Sequence, residues 1–180
     1  MSSGAPDDDA EGVRLVDLTR DLIPATIACA HAAWHAAYDD LLPSGQVDYM
    51  LAQRATPEVL AGYLGATDRW FQLAVTPAAD VIGYSSCRRN GPSRLRLEQI
   101  YLLPGRWGGG VADLLLDAVV QRARDLAADV VDLTVNKGNL RAQRFYRRRG
   151  FVRTEEVVMD IGGGFVMDDF VWELTVAGGQ

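Results

Sequence analysis

A chain of 180 residues with a formal charge of −6 and 48% apolar residues is long enough to bury one substantial core. Its charge disfavours a nucleic-acid partner, and no apolar run approaches the ~18–20 residues that a membrane-spanning helix needs. Cys29 and Cys87 stand far apart with no paired spacing, which suits a reducing, cytoplasmic setting better than a disulfide framework.

Residues 1–12, MSSGAPDDDAEG, are small, polar and acidic and lack the marks of a signal or transit peptide. A disordered acidic tail is expected there, then one domain over residues 13–176 and a frayed end at 177–180. Residues 13–16 make a short strand, and Asp21 starts a helix over 23–38 with Ile27, Ala30, Trp34, Ala37 and Tyr38 at helical spacing. After the break LLPSG, a second helical region covers 47–64, interrupted where Thr56 can cap and Pro57 can take the first helical position. Strands are expected over 70–75 and 81–88, joined by TPAAD, and after NGPS a third over 97–103. A long helix follows over 110–127, an apolar strand over 130–135, and a short helix over 140–149 ended by Gly150 as a left-handed cap. Two last strands, 151–161 and 165–176, flank Gly162, Gly163 and Gly164.

The most informative stretch is LEQIYLLPGRWGGGVA, residues 97–112. Pro104 stops a strand because it has no N–H to give to a ladder. Gly105, Gly108, Gly109 and Gly110 then lead into a helix near Val111. Strand, glycine turn and helix start in that order form a nest of backbone N–H groups, backed by the positive end of the helix dipole and suited to a phosphate. A Walker loop is excluded because no Lys-Ser/Thr pair follows Gly110, and a dinucleotide fingerprint because Asp113 stands where its third glycine belongs. A turn without a ligand would have little reason to carry the backbone entropy of three consecutive glycines. Arginines gather at 88–106 and 141–153, acids at 7–9, 39–48, 155–156 and 168–169. They form either a solvated mixed surface, or a polyanion site beside the arginines and a cation site beside some of the acids.

Here the chain resembles the GNAT N-acetyltransferase superfamily. Residues 102–112 look like its pyrophosphate loop, Gln/Arg-x-x-Gly-x-Gly/Ala, with Gly110 and Ala112 at the last two fixed positions, Trp107 where Gln or Arg is usual and Arg106 one place earlier. Val135, Asn139, Ala142, Phe145, Tyr146, Gly150 and Phe151 fit its second pattern, V-x-x-x-N-x-x-A-x-x-F-Y-x-x-x-G-F. The resemblance implies an α+β fold of three layers: a central mixed, mostly antiparallel sheet of about seven strands with helices on both faces. It implies acetyl-CoA as co-substrate, direct transfer to an amine acceptor, and no metal. The expected partners are therefore acetyl-CoA and an amine, with neither nucleic acid nor membrane; a homodimer is left open.

Direct transfer needs the cofactor held, a proton taken from the ammonium, the oxyanion stabilised and the departing thiolate protonated. The resemblance gives the pyrophosphate to Arg106, Trp107, Gly108, Gly109, Gly110, Val111 and Ala112. It gives the pantetheine arm to the strand of Leu102 and Leu103, and the thioester oxygen to the Leu102 N–H. Tyr146, alone a core aromatic, becomes the acid beside the cofactor sulfur. Asn139 caps its helix, binds the pantetheine arm, or both. Arg141, Arg144 and Arg148 form a stripe that meets phosphates or solvent. Glu98 is either the base, acting through a water with burial raising its pKa, or a structural carboxylate paired with Arg94 or Arg96.

Trp34 and Tyr38 pack in the core or line the acceptor pocket. His31 and His35 share a helix face but lack the glutamate of a zinc-binding His-Glu-x-x-His, and Cys87, with no histidine placed to activate it, is read as buried filling. LEQIYL and the Asp168-Asp169 ending resemble bacterial spermidine/spermine acetyltransferases, whose acceptors are polyamines. Two rivals use the same nest: a non-catalytic coenzyme A sensor, which needs no Tyr146, and a nucleotide-binding protein.

Overall fold

The computed structural model describes residue 10 and residues 12–176. The acidic tail expected over 1–12, apart from Ala10 and Gly12, and the frayed end at 177–180 lie outside the described residues. Within them the chain runs β1 (Arg14–Asp17), α1 (Ile23–Tyr38), α2 (Gln46–Arg54), α3 (Pro57–Ala61), β2 (Arg69–Val75), β3 (Val81–Arg89), β4 (Arg94–Leu102), α4 (Val111–Asp125), β5 (Val130–Asn136), α5 (Leu140–Arg148), β6 (Val152–Gly162) and β7 (Phe165–Thr175). The seven strands form one sheet in the order β1-β2-β3-β4-β5-β7-β6. Every neighbouring pair is antiparallel except β4 and β5.

Local chemistry sets most boundaries. The Thr56 hydroxyl accepts from the Val59 N–H at 3.3 Å and starts α3. Asn139 does the same for α5 through Ala142 N–H at 3.1 Å, and Gly150 closes that helix at φ 87°. The expected start at Asp21 is displaced. Asp21 sits in a 3-10 turn over Arg20–Leu22, its carboxylate accepting from the Thr19 hydroxyl at 2.6 Å, so α1 begins two residues later with proline in its first turn. The 47–64 region is interrupted where expected: α2 ends at Arg54, Thr56 caps α3 and Pro57 opens it, and α3 stops at Ala61.

Both faces of the sheet carry a core. On one, Trp34, Leu51 and Leu60 of α1–α3 pack on Phe71, Leu73 and Tyr84. On the other, Leu116 and Val119 of α4 and Tyr146 of α5 pack on Leu95, Leu97, Val131 and Leu133. This is the three-layer, mostly antiparallel arrangement expected from the sequence.

Two irregularities in β4 matter for function. First, β4 and β5 pair only at Arg94–Arg96 with Val130–Asp132, and beyond that point the two strands part. The closed end is pinned by Arg96 on Asp132, by Arg94 on Glu173, and by Arg94 on Asp132 at 3.7 Å. Second, Ser86 pairs with Gln99 but Cys87 pairs with Leu97, so Glu98 is an extra residue on β4, a β-bulge. The bulge reverses the alternation of the strand. Leu95 and Leu97 before it, and Ile100 and Leu102 after it, share the α4 face, while Glu98 and Tyr101 turn to the α1 side. A regular strand would have put Leu102 beside Glu98.

Candidate active site

The parting of β4 from β5 opens a passage through the sheet. On one side lies a groove of about 390 Å³ between α1, the start of α4 and α5. On the other lies a cleft of about 310 Å³ under α1 and α2. The waist between them is lined by Tyr38, Glu98, Ile100, Tyr101, Thr134, Asn139 and Tyr146, residues shared with one side or the other.

Backbone direction at the waist follows from one hydrogen bond. Leu103 N–H donates to Ile82 C=O at 2.9 Å, so these residues form a hydrogen-bonded pair across β3 and β4. Antiparallel pairs alternate, so Gly83–Leu102 and Ser85–Ile100 are non-bonded pairs whose N–H and C=O groups point away from β3. They point at β5, which has left. The Leu102 N–H is therefore a free donor on the open edge of β4, at the groove that Leu102 lines. Leu103 is not: its amide is committed to β3, and the residue does not line the groove. Ile100 has the free edge in its place. Parity with Leu102 would have identified it in the sequence.

The glycine turn forms the mouth of the groove. Gly105, Gly108 and Gly110 have φ of 84°, 88° and 81°, and a Cβ at Gly108 would meet nothing within 4 Å. Glycine is there for its conformation, not for want of space. Arg106 N–H donates to Leu103 C=O at 3.1 Å; after it the next amide to reach a backbone carbonyl is Leu114, donating to Gly110 C=O at 3.1 Å, which leaves the N–H groups between them without a backbone partner. Trp107, Gly108 and Ala112 line the groove; Arg106, Gly109, Gly110 and Val111 do not, and Val111, the first residue of α4, is fully buried. Trp107 does not close the groove. Its ring lies against the Arg141 guanidinium, 3.5 Å from ring centroid to carbon, and Arg141, Arg144 and Arg148 all line the same wall.

Tyr146 is 5% exposed and lines both groove and waist. Burial, reinforced by Tyr38 nearby, pushes its phenol far above the ordinary value, so it stays protonated. Asn139 caps α5, as expected, and also borders the groove.

The cleft is aromatic and acidic. Trp34 Nε1–H donates to the Tyr84 hydroxyl at 2.8 Å, and the Tyr38 and Tyr101 hydroxyls meet at 3.0 Å. Trp34 and Tyr38 are thus both core residues and cleft walls. Glu98 accepts from Arg88 Nε–H at 2.7 Å and from the Tyr63 hydroxyl at 3.1 Å. Its partner is Arg88 rather than Arg94 or Arg96, which the bulge leaves behind at the closed end. Burial and the neighbouring Glu98 push the Tyr63 phenol up to about 12. Asp160 and Asp169 complete the acidic lining, and Asp169, which the sequence offered only as part of an acid-rich ending, is 3% exposed.

Elsewhere, His35 is engaged by Asp39 at 2.8 Å and Asp48 at 3.3 Å on an exposed helix face. Cys87 is buried filling, its thiol pushed up to about 12 by burial. No helix among the described residues is long and apolar enough to cross a membrane.

With this geometry in place, residues 31–151 match the model of the acetyltransferase (GNAT) family, well over half of the chain. The chain belongs to that family. Among curated relatives of this GNAT chain are uncharacterized N-acetyltransferases of Mycobacterium bovis and Mycobacterium tuberculosis, 42% identical over 71 residues. That match covers 39% of this chain and 46% of theirs, so the chain spans about half the length of the relatives it matches. Two solved structures share the fold. A PaiA N-acetyltransferase from Thermoplasma acidophilum, in complex with coenzyme A, has a TM-score of 0.75 at 17% identity over 91% of this chain and 98% of its own. A spermidine N-acetyltransferase from Vibrio cholerae has a TM-score of 0.68 at 15% identity, covering 93% and 95%.

Proposed function

We propose that this chain is a cytoplasmic acetyl-CoA-dependent N-acetyltransferase that passes the acetyl group directly to a primary amine of a small cationic acceptor, with polyamines as the favoured class. The observation that carries the reading is the open edge of β4, where Ile100 borders the waist and the free Leu102 N–H lies in the arginine-walled groove, across from a carboxylate-lined cleft. The groove fits a pyrophosphate-bearing arm: unpaired amides at its mouth, arginines along one wall, and the open edge of β4 at Ile100 and Leu102 leading inward. Acetyl-CoA supplies the activated acyl group.

In this reading the amine nitrogen attacks the thioester carbonyl carbon and the C–S bond breaks. The Leu102 N–H meets the negative charge that develops on the carbonyl oxygen. Tyr146 gives its proton to the departing sulfur. Glu98, where the cleft meets the waist, draws one proton from the ammonium through a water, and the second proton that the nitrogen loses as the amide forms restores Tyr146; Arg88 and Tyr63 fix the orientation of Glu98. Trp34 and Tyr38 wall the acceptor side. Support for the polyamine class comes from the cleft's three carboxylates, set against a single arginine, Arg54, in its lining.

Calorimetry with acetyl-CoA, ATP and NAD, followed by a thiol-release screen over polyamines, amino acids and peptides, tests the proposal. Preference for acetyl-CoA and thiol release with amines is expected. Tighter binding of either nucleotide would favour the nucleotide-binding rival. Cofactor binding without turnover on any amine would favour the sensor.

A further inference from the structure

Three buried side-chain polar atoms among the described residues have no hydrogen-bond partner: Ser86 Oγ, Trp172 Nε1 and Asp169 Oδ1. Only Asp169 is a carboxylate, and only Asp169 lines a cavity of the candidate site. Burying a charged oxygen unpaired is among the most expensive things a fold can do, so native structures that do it usually have a use for it.

Strand register explains how it is left alone. Asp168 and Asp169 are neighbours on β7 and point to opposite faces. Lys137, the one lysine of the sequence, is spent on Asp168 at 2.7 Å and Glu156 at 2.9 Å, on the solvent side. Asp169 pairs through its backbone with Asn136 and Val157 and faces into the cleft. Arg54 lines the same cleft but forms no ion pair with it among the described residues. Much of the remaining cleft lining is long, flexible and apolar or aromatic: Met50, Met159 and Met167, with Tyr38 and Tyr101 continuing into the waist. Such walls suit a methylene chain, and the rings suit a cation on their faces.

Resting on the acetyl-transfer reading above, we infer that Asp169 is the residue that holds the second ammonium group of an α,ω-diamine acceptor while the first ammonium lies at the waist. Asp169 touches substrate but takes no part in bond making; it selects acceptors that carry a positive charge at the far end.

The test is calorimetry of diaminopentane and n-pentylamine, with coenzyme A present and absent, on the wild type, Asp169→Asn and Asp168→Asn. The wild type is expected to prefer the diamine by about tenfold or more, the scale of one charge-assisted hydrogen bond. Asp169→Asn should bind the two amines equally, and Asp168→Asn should keep the preference. Unchanged acetyl-CoA affinity in Asp169→Asn serves as the check that the variant is folded. A preference that survives in Asp169→Asn, or a wild type that does not discriminate, overturns the assignment and leaves the acetyl-transfer reading standing. Diamine selectivity lost in Asp169→Asn, in a protein that binds no acetyl-CoA, would uphold the assignment and overturn that reading.

Discussion

The two ends of the β4–β5–β7 region hold aspartates of equal burial and opposite fate. Asp132, at the closed end, is 2% exposed and is met by both Arg94 and Arg96. Asp169, at the open end, is 3% exposed and meets no cation. The same contrast holds for the backbone: Arg94–Arg96 are paired to β5, while Ile100 and Leu102 have free groups. One end completes its interactions within the fold and holds the strands together; the other leaves them open. A site of this kind works because the pinned end fixes where the free end points.

Breaking the pinned end should have the largest effect. Asp132→Ala leaves two arginines without their shared carboxylate. The loss in unfolding free energy should be about 3 kcal/mol, the low end for breaking a buried pair. Arg96 and Arg94 keep 25% and 35% of their side-chain surface in water, which limits the damage. Denaturant titration measures it; a loss under about 1 kcal/mol would mean that the network does not hold the closed end. Next comes Tyr146→Phe, expected to slow thiol release about 100-fold while calorimetric cofactor affinity stays within about twofold. Unchanged turnover would remove Tyr146 from the mechanism.

The glycine turn allows a finer comparison. Gly105 and Gly108 share a left-handed φ, but only Gly108 lines the groove. Alanine at either should cost about 1–2 kcal/mol of stability. Only Gly108→Ala should also weaken acetyl-CoA, by about tenfold; equal weakening by both would mean that the loop acts only through its overall shape. The smallest effect is a gain. Burial pushes the Asp169 carboxyl above its ordinary value, against Thr134 beside it, with Asp168 raising it further and Arg54 and Arg96 lowering it. The native carboxyl thus holds its proton to higher pH than the unfolded one, so wild-type stability falls as pH rises through that window. Asp169→Asn should therefore melt about 2–4 °C higher than the wild type at pH 7, roughly 1 kcal/mol, with the gap closing toward about pH 4. A lower melting temperature at neutral pH would contradict the view of Asp169 as a strained, unpaired charge.

Much of the fold could be read from the sequence, because its signals are local. Helical spacing over Ile27 to Tyr38, the Thr56 and Asn139 caps, and Gly150 each act within a turn of chain and set boundaries within a few residues. The nest was legible for the same reason: Pro104 and the glycines that follow it are one local feature. What was missed depends on pairing between distant segments. The bulge at Glu98 exists only in the register of β4 against β3, and no pattern within LEQIYL announces it. Leu102 and Leu103 look alike in the sequence until the bond to Ile82 separates them. Asp168 and Asp169 read as one acidic pair, although alternation along β7 sends the two to different faces. That Glu98 pairs with Arg88, and not with Arg94 or Arg96, likewise depends on the bulge.

The claim on which all of this turns is that the free edge of β4 beyond the closed end receives the cofactor. Backbone amide NMR during titration with acetyl-CoA reports on it residue by residue. The largest shifts are expected at Gly108–Ala112 and at the Ile100 and Leu102 amides, with Arg94–Arg96 barely moving. Saturable binding with the Ile100 and Leu102 amides unmoved would contradict it.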